Sequence, residues 1–264
     1  MKTLSLLLTL AILCLPGVPA QAQSSIPVEA KSLPGNPSLL RWENRIYRKI
    51  EKSSEFPLKV PRFCAAIRST VVVVGQQTLP LEVSPEIDHW NLSLKNPPSE
   101  LTGIAVLEFD SAPLLIDELQ PIAQLGDGSL WLPAHFGKTS GDKLRYEPQP
   151  HKNTVGYWTV PTDSVEWNVR IEKAGKFNLA VLQGCGGGQG GSIANLQITS
   201  ADGKTVFETS FEVLETGHFQ NFQWKQLEAV ELKEAGNYTL KVQPKQIRKA
   251  ALMDIRAIQL LRLP

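Results

Sequence analysis

The sequence predicts an all-β chain of two antiparallel β-sandwiches, with one short amphipathic helix ahead of them. Two observations carry the sandwiches. From Pro61 onward apolar residues recur with period two in short runs, the pattern of strands that bury one face. The 19 prolines and 19 glycines of the 264 residues punctuate these runs, with prolines at 80, 85, 97, 98 and 113. A third observation carries the helix: apolar residues at helical spacing stand out between residues 39 and 50. The length gives one or two domains, and a hydrophobic share of 42% fills ordinary cores.

Taken in order, Lys2, the apolar stretch Leu4 to Leu15 and the small residues of Ala20-Gln21-Ala22 predict a signal peptide over residues 1–22, and hence export. That stretch is too short to span a bilayer, and no later one reaches the roughly 18 apolar residues a membrane helix needs, so no integral membrane segment is expected. Residues 23–54 are expected as a disordered lead followed by the helix. After Ser38, Leu39, Trp42, Ile46 and Ile50 form one stripe, with Arg41, Arg45, Arg48, Lys49 and Lys52 around it. The basic face is read as solvated rather than as a membrane or acidic-glycan contact.

Residues 55–120 form the first, smaller sandwich, from the strands "STVVVVG", "LPLEV", "HWNLSL" and "GIAVLEF". Residues 127–264 form the second. There the Gly-Asp-Gly turn of "QLGDGSLWLP" leads into Leu130 and Leu132. Val165, Trp167, Val169 and Ile171 alternate up to the turn Lys173-Ala174-Gly175, and Phe177, Leu179 and Val181 follow, which reads as a hairpin. "EKAGKFNLAV" and "KEAGNYTLKV" repeat one phrase, as similar turns at opposite positions of a two-sheet sandwich would. "NLQITS", "TVFETSFEVL" and "ALMDIRAIQLL" supply the remaining strands.

With 27 basic and 26 acidic residues, and no basic patch interleaved with aromatics, nucleic acid is not an expected partner. Cys14 leaves with the signal. Cys64 and Cys185 then remain, in different sandwiches, so the chain is no disulfide scaffold.

The stretch "QGCGGGQGGS" at 183–192 has three readings. A phosphate loop needs a Lys-Ser/Thr pair and a following helix, but here the chain runs on towards a strand at Ala194. A nucleophilic Cys185 needs a base, for which His218 and Asn221 are available, although such a group is defined by geometry. A binding rim, where glycines let backbone approach a ligand, is the reading preferred.

"VGYWTVPTDSVEWNVRIEKAGKFNLAVL", "TGHFQNFQW", "VELKEAGNYTLKV" and "ALMDIRAIQLL" together resemble the landmarks of β-jelly-roll carbohydrate-binding modules, family 6 and its relatives. They look closer still to the jelly roll appended to secreted bacterial α-L-fucosidases. Residues 60–117 resemble the β-sandwich that follows the catalytic barrel in those enzymes. A barrel needs roughly 250 residues, and no stretch here supplies one. The resemblance therefore implies a secreted, non-catalytic protein that binds polysaccharide or glycoprotein glycan through a loop-lined site on a jelly roll. The alternative is a docking module that works with a separate glycan-processing enzyme such as an α-L-fucosidase.

A sugar site needs flat aromatic rings for C–H faces and amides or carboxylates for hydroxyls. The resemblance puts Phe219 at the exposed ring and Phe222 in the core, with His218, Gln220 and Asn221 as hydrogen-bonding neighbours. The second ring comes from Tyr157 or Trp158, with His151 and Asn153 nearby, and alternation sends one of that pair inward. Gln183 is a further amide, and Trp167 belongs to the core. The resemblance also implies a calcium held by a glutamate in the first strand and an aspartate in the last. Asp254 matches the second, but "LWLPAHF" offers no acid for the first. No cofactor is expected, and Asp254 is read as the cap of a backbone turn.

Overall fold

Strand formation follows the alternation of the sequence closely, and the computed structural model describes residues 25–264. The expected signal peptide lies outside the described residues. The first eight strands are β1 (Lys31–Leu33), β2 (Asn36–Trp42), β3 (Arg45–Ile50), β4 (Leu58–Pro61), β5 (Ile67–Val74), β6 (Gln77–Pro85), β7 (His89–Leu94) and β8 (Gly103–Phe109). They pair in the order β1-β2-β3-β8-β5-β6-β7-β4. The first half of β6 pairs with β5 and its second half with β7, so the sheet turns a corner there and folds back on itself. Ile46, Ile50, Leu58, Val72, Trp90 and Leu107 are buried between the two flanks. Phe63 meets Trp90 and Phe109 edge-on, at 5.7 and 5.3 Å between ring centroids.

The expected helix is corrected here. Leu39, Trp42, Ile46 and Ile50 lie on β2 and β3, a hairpin closed at Glu43 and Asn44 with Trp42 opposite Arg45. Glu43 takes a left-handed φ of 51°, as tight hairpin turns require. The basic residues also have a different role. Arg41 makes a bidentate pair with Glu118 at 2.6 and 2.8 Å, and Arg45 meets Glu108 across the β3–β8 ladder at 3.1 Å. Carboxylates distant in sequence thus answer the charge that a helical wheel would leave in water.

The second unit comprises β9 (Ile122–Ala123), β10 (Leu130–Pro133), β11 (Lys138–Ser140), β12 (Arg145–Glu147), β13 (Thr154–Gly156), β14 (Ser164–Ile171), β15 (Gly175–Cys185), β16 (Ile193–Ser200), β17 (Thr205–Glu212), β18 (His218–Leu232), β19 (Gly236–Gln246) and β20 (Asp254–Arg262). One sheet runs β12-β13-β20-β15-β18, with β10 also on β20; the other runs β11-β14-β19-β16-β17, with β9 on β14. Packed face to face, they form the jelly-roll sandwich, with Leu132, Trp167, Phe177, Leu196, Leu240 and Ile258 between the layers. Trp167 is in the core, as its phase predicts.

The expected hairpin of β14 and β15 does not form. β14 pairs with β11 and β19, whereas β15 pairs with β18 and β20, so the turn at residues 172–174 carries the chain from one layer to the other. The repeated phrase is thereby explained: β15 and β19 are equivalent strands of opposite layers.

The two units share one continuous apolar core. Tyr146 on β12 packs 6.3 Å from Trp90 on β7, and the buried Arg62 guanidinium sits 5.2 Å over the Tyr146 ring. Arg62 donates to the carbonyls of Gly137 (2.7 Å) and His135 (3.2 Å). Arg145 donates to that of Pro85 at 2.8 Å, and Gln149 to that of Val83 at 2.9 Å. No helix among the described residues is long and apolar enough to cross a membrane.

Candidate functional site

The site is built by strand register. Val155 on β13 lies opposite Ile255 on β20, and both point into the core. Their neighbours Gly156 and Asp254 therefore face the other way, because side chains alternate along a strand. Glu147 on β12 joins them: a Cβ at Gly156 would lie 2.7 Å from Glu147 Oε2 and 2.8 Å from Asp254 Oδ1. Glycine at 156 lets two nearly buried carboxyls share one patch of sheet.

That patch opens into a cleft of about 220 Å3, lined also by Lys152, Tyr157, Thr159, Phe219, Gln220 and Ala251. Tyr157 follows β13 in a left-handed conformation, φ 61°, that turns its ring outward, and it is 48% exposed. The Arg145 guanidinium stacks on this ring at 4.0 Å. Phe219, at the start of β18, rests on the glycine loop. A Cβ at Gly186 would come within 2.7 Å of Phe219 Cε2, and one at Gly184 within 2.0 Å of the Phe219 carbonyl oxygen. Bulkier residues there would displace the ring.

The charges are unevenly matched. Lys152 Nζ donates to Glu147 Oε1. Asp254 is 5% exposed, and among the described residues no group donates a hydrogen bond to it. Burial first, and the Glu147 charge second, hold its carboxyl well above the usual carboxylate range, while Lys152 pulls it down. Asp254 therefore caps no turn, contrary to the sequence expectation. Among the described residues no group of three or more His, Cys, Asp or Glu side chains is placed to hold a metal.

The structure brings Tyr157, Phe219 and Gln220 together in this cleft. His218 and Asn221 share β18 with Phe219 but turn to local partners: His218 Nδ1 accepts the Gln220 N–H at 3.1 Å, and Asn221 Nδ2 donates to Thr216 O at 2.6 Å. His151 is exposed in the turn before β13, and its carbonyl accepts from Arg256 at 2.9 Å. Asn153 turns away, its Oδ1 accepting the Tyr146 hydroxyl at 2.9 Å.

Two candidates are corrected. Trp158 is fully buried, its Nε1–H donating to Asp163 O at 3.1 Å, because Tyr157 takes the outward position of the pair. Gln183 is also buried; its amide clips the chain at Leu214, Nε2 donating to Leu214 O at 2.8 Å and Oε1 accepting its N–H at 3.3 Å. Sequence reasoning missed Glu147 and Lys152. Their signal, an acid and a base five residues apart around a turn, is common on protein surfaces.

Cys185 lies opposite His218 in the β15–β18 ladder, but its thiol points inward, towards the carbonyls of Gly186 and Leu252. Burial pushes the thiol up to about 11, which keeps it protonated and poorly nucleophilic. Cys64 is likewise buried and pushed up to about 11, and the two cysteines are free.

Among solved structures the chain is similar to an alpha-L-fucosidase from Vibrio sp. strain EJY3, at 12% identity and a TM-score of 0.32 over 84% of this chain; it spans 39% of that enzyme's length. It is also similar to the C-terminal CBM6 of LamC, a marine laminarinase from Zobellia galactanivorans, at 16% identity and a TM-score of 0.40 over 51% of this chain and 99% of that one. A family 35 carbohydrate binding module from Clostridium thermocellum matches at 14% identity and a TM-score of 0.40, over 51% of this chain and 98% of that one. These are the kinds of protein that the sequence landmarks resemble. No family model matches the chain, and no curated protein does.

Proposed function

We propose that the chain is an exported, non-catalytic glycan-binding protein whose jelly roll holds a sugar ring between Tyr157 and Phe219. One observation carries the reading: two part-exposed aromatic rings from separate elements flank an open cleft whose floor is polar. The rings suit the C–H faces of a pyranose, and Gln220, Thr159 and the floor carboxyls suit its hydroxyls. One such cleft supplies modest affinity, in the micromolar to millimolar range, or about 4 to 8 kcal/mol.

Calorimetry of the full chain against a panel of oligosaccharides tests this. Phe219→Ala should abolish measurable heat while leaving the fold intact. Trp158→Ala should instead cost about 3 to 5 kcal/mol of stability, as removal of a buried aromatic does. A wild-type chain that binds nothing on a broad glycan array would overturn the reading.

A second reading, docking onto a separate glycan-processing enzyme, is favoured by a different surface. Trp131 on β10 and Trp224 on β18 are 39% and 40% exposed and meet edge-on at 5.8 Å. Exposed tryptophans commonly anchor protein interfaces. A Trp224→Ala variant that loses an enzyme partner while keeping sugar binding would support docking.

A further inference from the structure

The floor of the cleft holds more acid than base. Lys152 is engaged by Glu147, whereas Asp254 has no hydrogen-bond partner among the described residues. The Asp254 side chain is almost wholly enclosed yet lines the cleft, so its oxygens are left for donors that a ligand brings. The groups around it leave the deficit in place. They are Glu147 from β12, Lys152 from the turn after it, Tyr157 beyond β13, Cys185 from β15 and Gln220 from β18. Arg256, two residues on, is turned to the carbonyls of His151 and Lys152 and lies 4.0 Å over the Phe222 ring. A ligand bearing both a cation and a flat apolar face would satisfy the whole site at once.

Resting on the glycan-binding reading, we infer that the cleft selects amine-bearing sugars, 2-amino-2-deoxyhexoses above all, through an ammonium-to-carboxylate contact at Asp254, and rejects acidic sugars. The ammonium supplies the N–H donors that Asp254 lacks and balances the second carboxylate. A uronate brings no N–H donor for Asp254, and its own charge would face that of Glu147. Burial and Glu147 favour the protonated carboxyl in the empty cleft, so capture of an ammonium releases a proton from Asp254 to solvent.

The test titrates the full chain at pH 6, where the sugar amine is charged, with four tetrasaccharides: glucosamine, N-acetylglucosamine, glucose and glucuronate. The glucosamine tetramer should bind at least roughly tenfold tighter than the other three, the size of one charge-assisted contact. Its binding heat should change with buffer ionisation enthalpy, which reports the released proton. Asp254→Asn should bring the glucosamine tetramer down to the affinity of the neutral ones and abolish the proton release, whereas Phe219→Ala should remove measurable binding of all four.

Equal or tighter binding of the neutral or acidic tetramers overturns the inference and leaves the glycan-binding reading standing. No binding by any of the four overturns both. Should Asp254→Asn fail to fold, the wild-type proton release decides, and its absence overturns the inference.

Discussion

Gly186 and Phe219 meet where a methyl group does not fit, and this contact makes the glycine loop part of the cleft. The ring lies across backbone that carries no side chain, so its position is set by the loop. Gly186→Ala should therefore push the Phe219 ring aside. Because the ring is only half-buried, the cost in stability should stay near 1 kcal/mol. Glycan affinity should fall severalfold. Titration and urea unfolding of the same variant check both halves, and an unchanged affinity would remove Phe219 from the site. Tyr157 and Trp158 show the same dependence on local backbone. The left-handed turn at Tyr157 sends one ring out and the next one in.

Between strands, the wall of the cleft rests on the first unit. Arg145 stacks on Tyr157 while its Nη1 donates to Pro85 O at 2.8 Å and meets Glu86 Oε2 at 3.1 Å, both at the end of β6. The folded-back sheet thus sets the angle of an aromatic ring on the jelly roll. Arg145→Lys keeps the charge but loses the planar stack and the fork of donors. It should weaken glycan binding severalfold with a small loss of thermal stability, and equal affinity in the variant would show that Tyr157 needs no support. Much of the strand content could be read from alternation: "STVVVVG", "HWNLSL" and "GIAVLEF" each fall on a strand. Partners could not, because period two says that a strand buries a face without saying against what, and β14 and β15 were misjoined for that reason. β2 and β3 read as a helix because Leu39, Ile46 and Ile50 satisfy both periods, and only the turn at Glu43 and Asn44 separates them. Tyr157, Phe219 and Gln220 were legible through the resemblance. Asp254 stood out in the same way, as the last-strand aspartate, but its neighbour Glu147 did not, since β12 and β20 bring the two together only in the folded sheet.

The shared core should make the two units unfold together, and its polar seam should respond to acid. His135 is half-buried beside Tyr146, 6.4 Å away, with its inaccessible Nδ1 lacking a partner and the Arg62 guanidinium close by. Burial, reinforced by the Arg62 charge, lowers its affinity for a proton, while Asp110 and Asn153 act the other way. The unfolded chain binds that proton near pH ~6.5. Stability from the neutral ring is therefore complete above that pH, falls as pH drops below it, and levels off beneath the folded value. Urea midpoints measured from pH 8 down to pH 5 should decline in one cooperative transition, and His135→Asn should flatten that decline; an identical slope would place its source elsewhere. The sealed sulfurs add a last consequence. Neither Cys64 nor Cys185 can meet a peroxide or a foreign sulfhydryl while the β-layers stay closed. In an oxidising medium the folded β-layers keep these two sulfurs out of stray crosslinks.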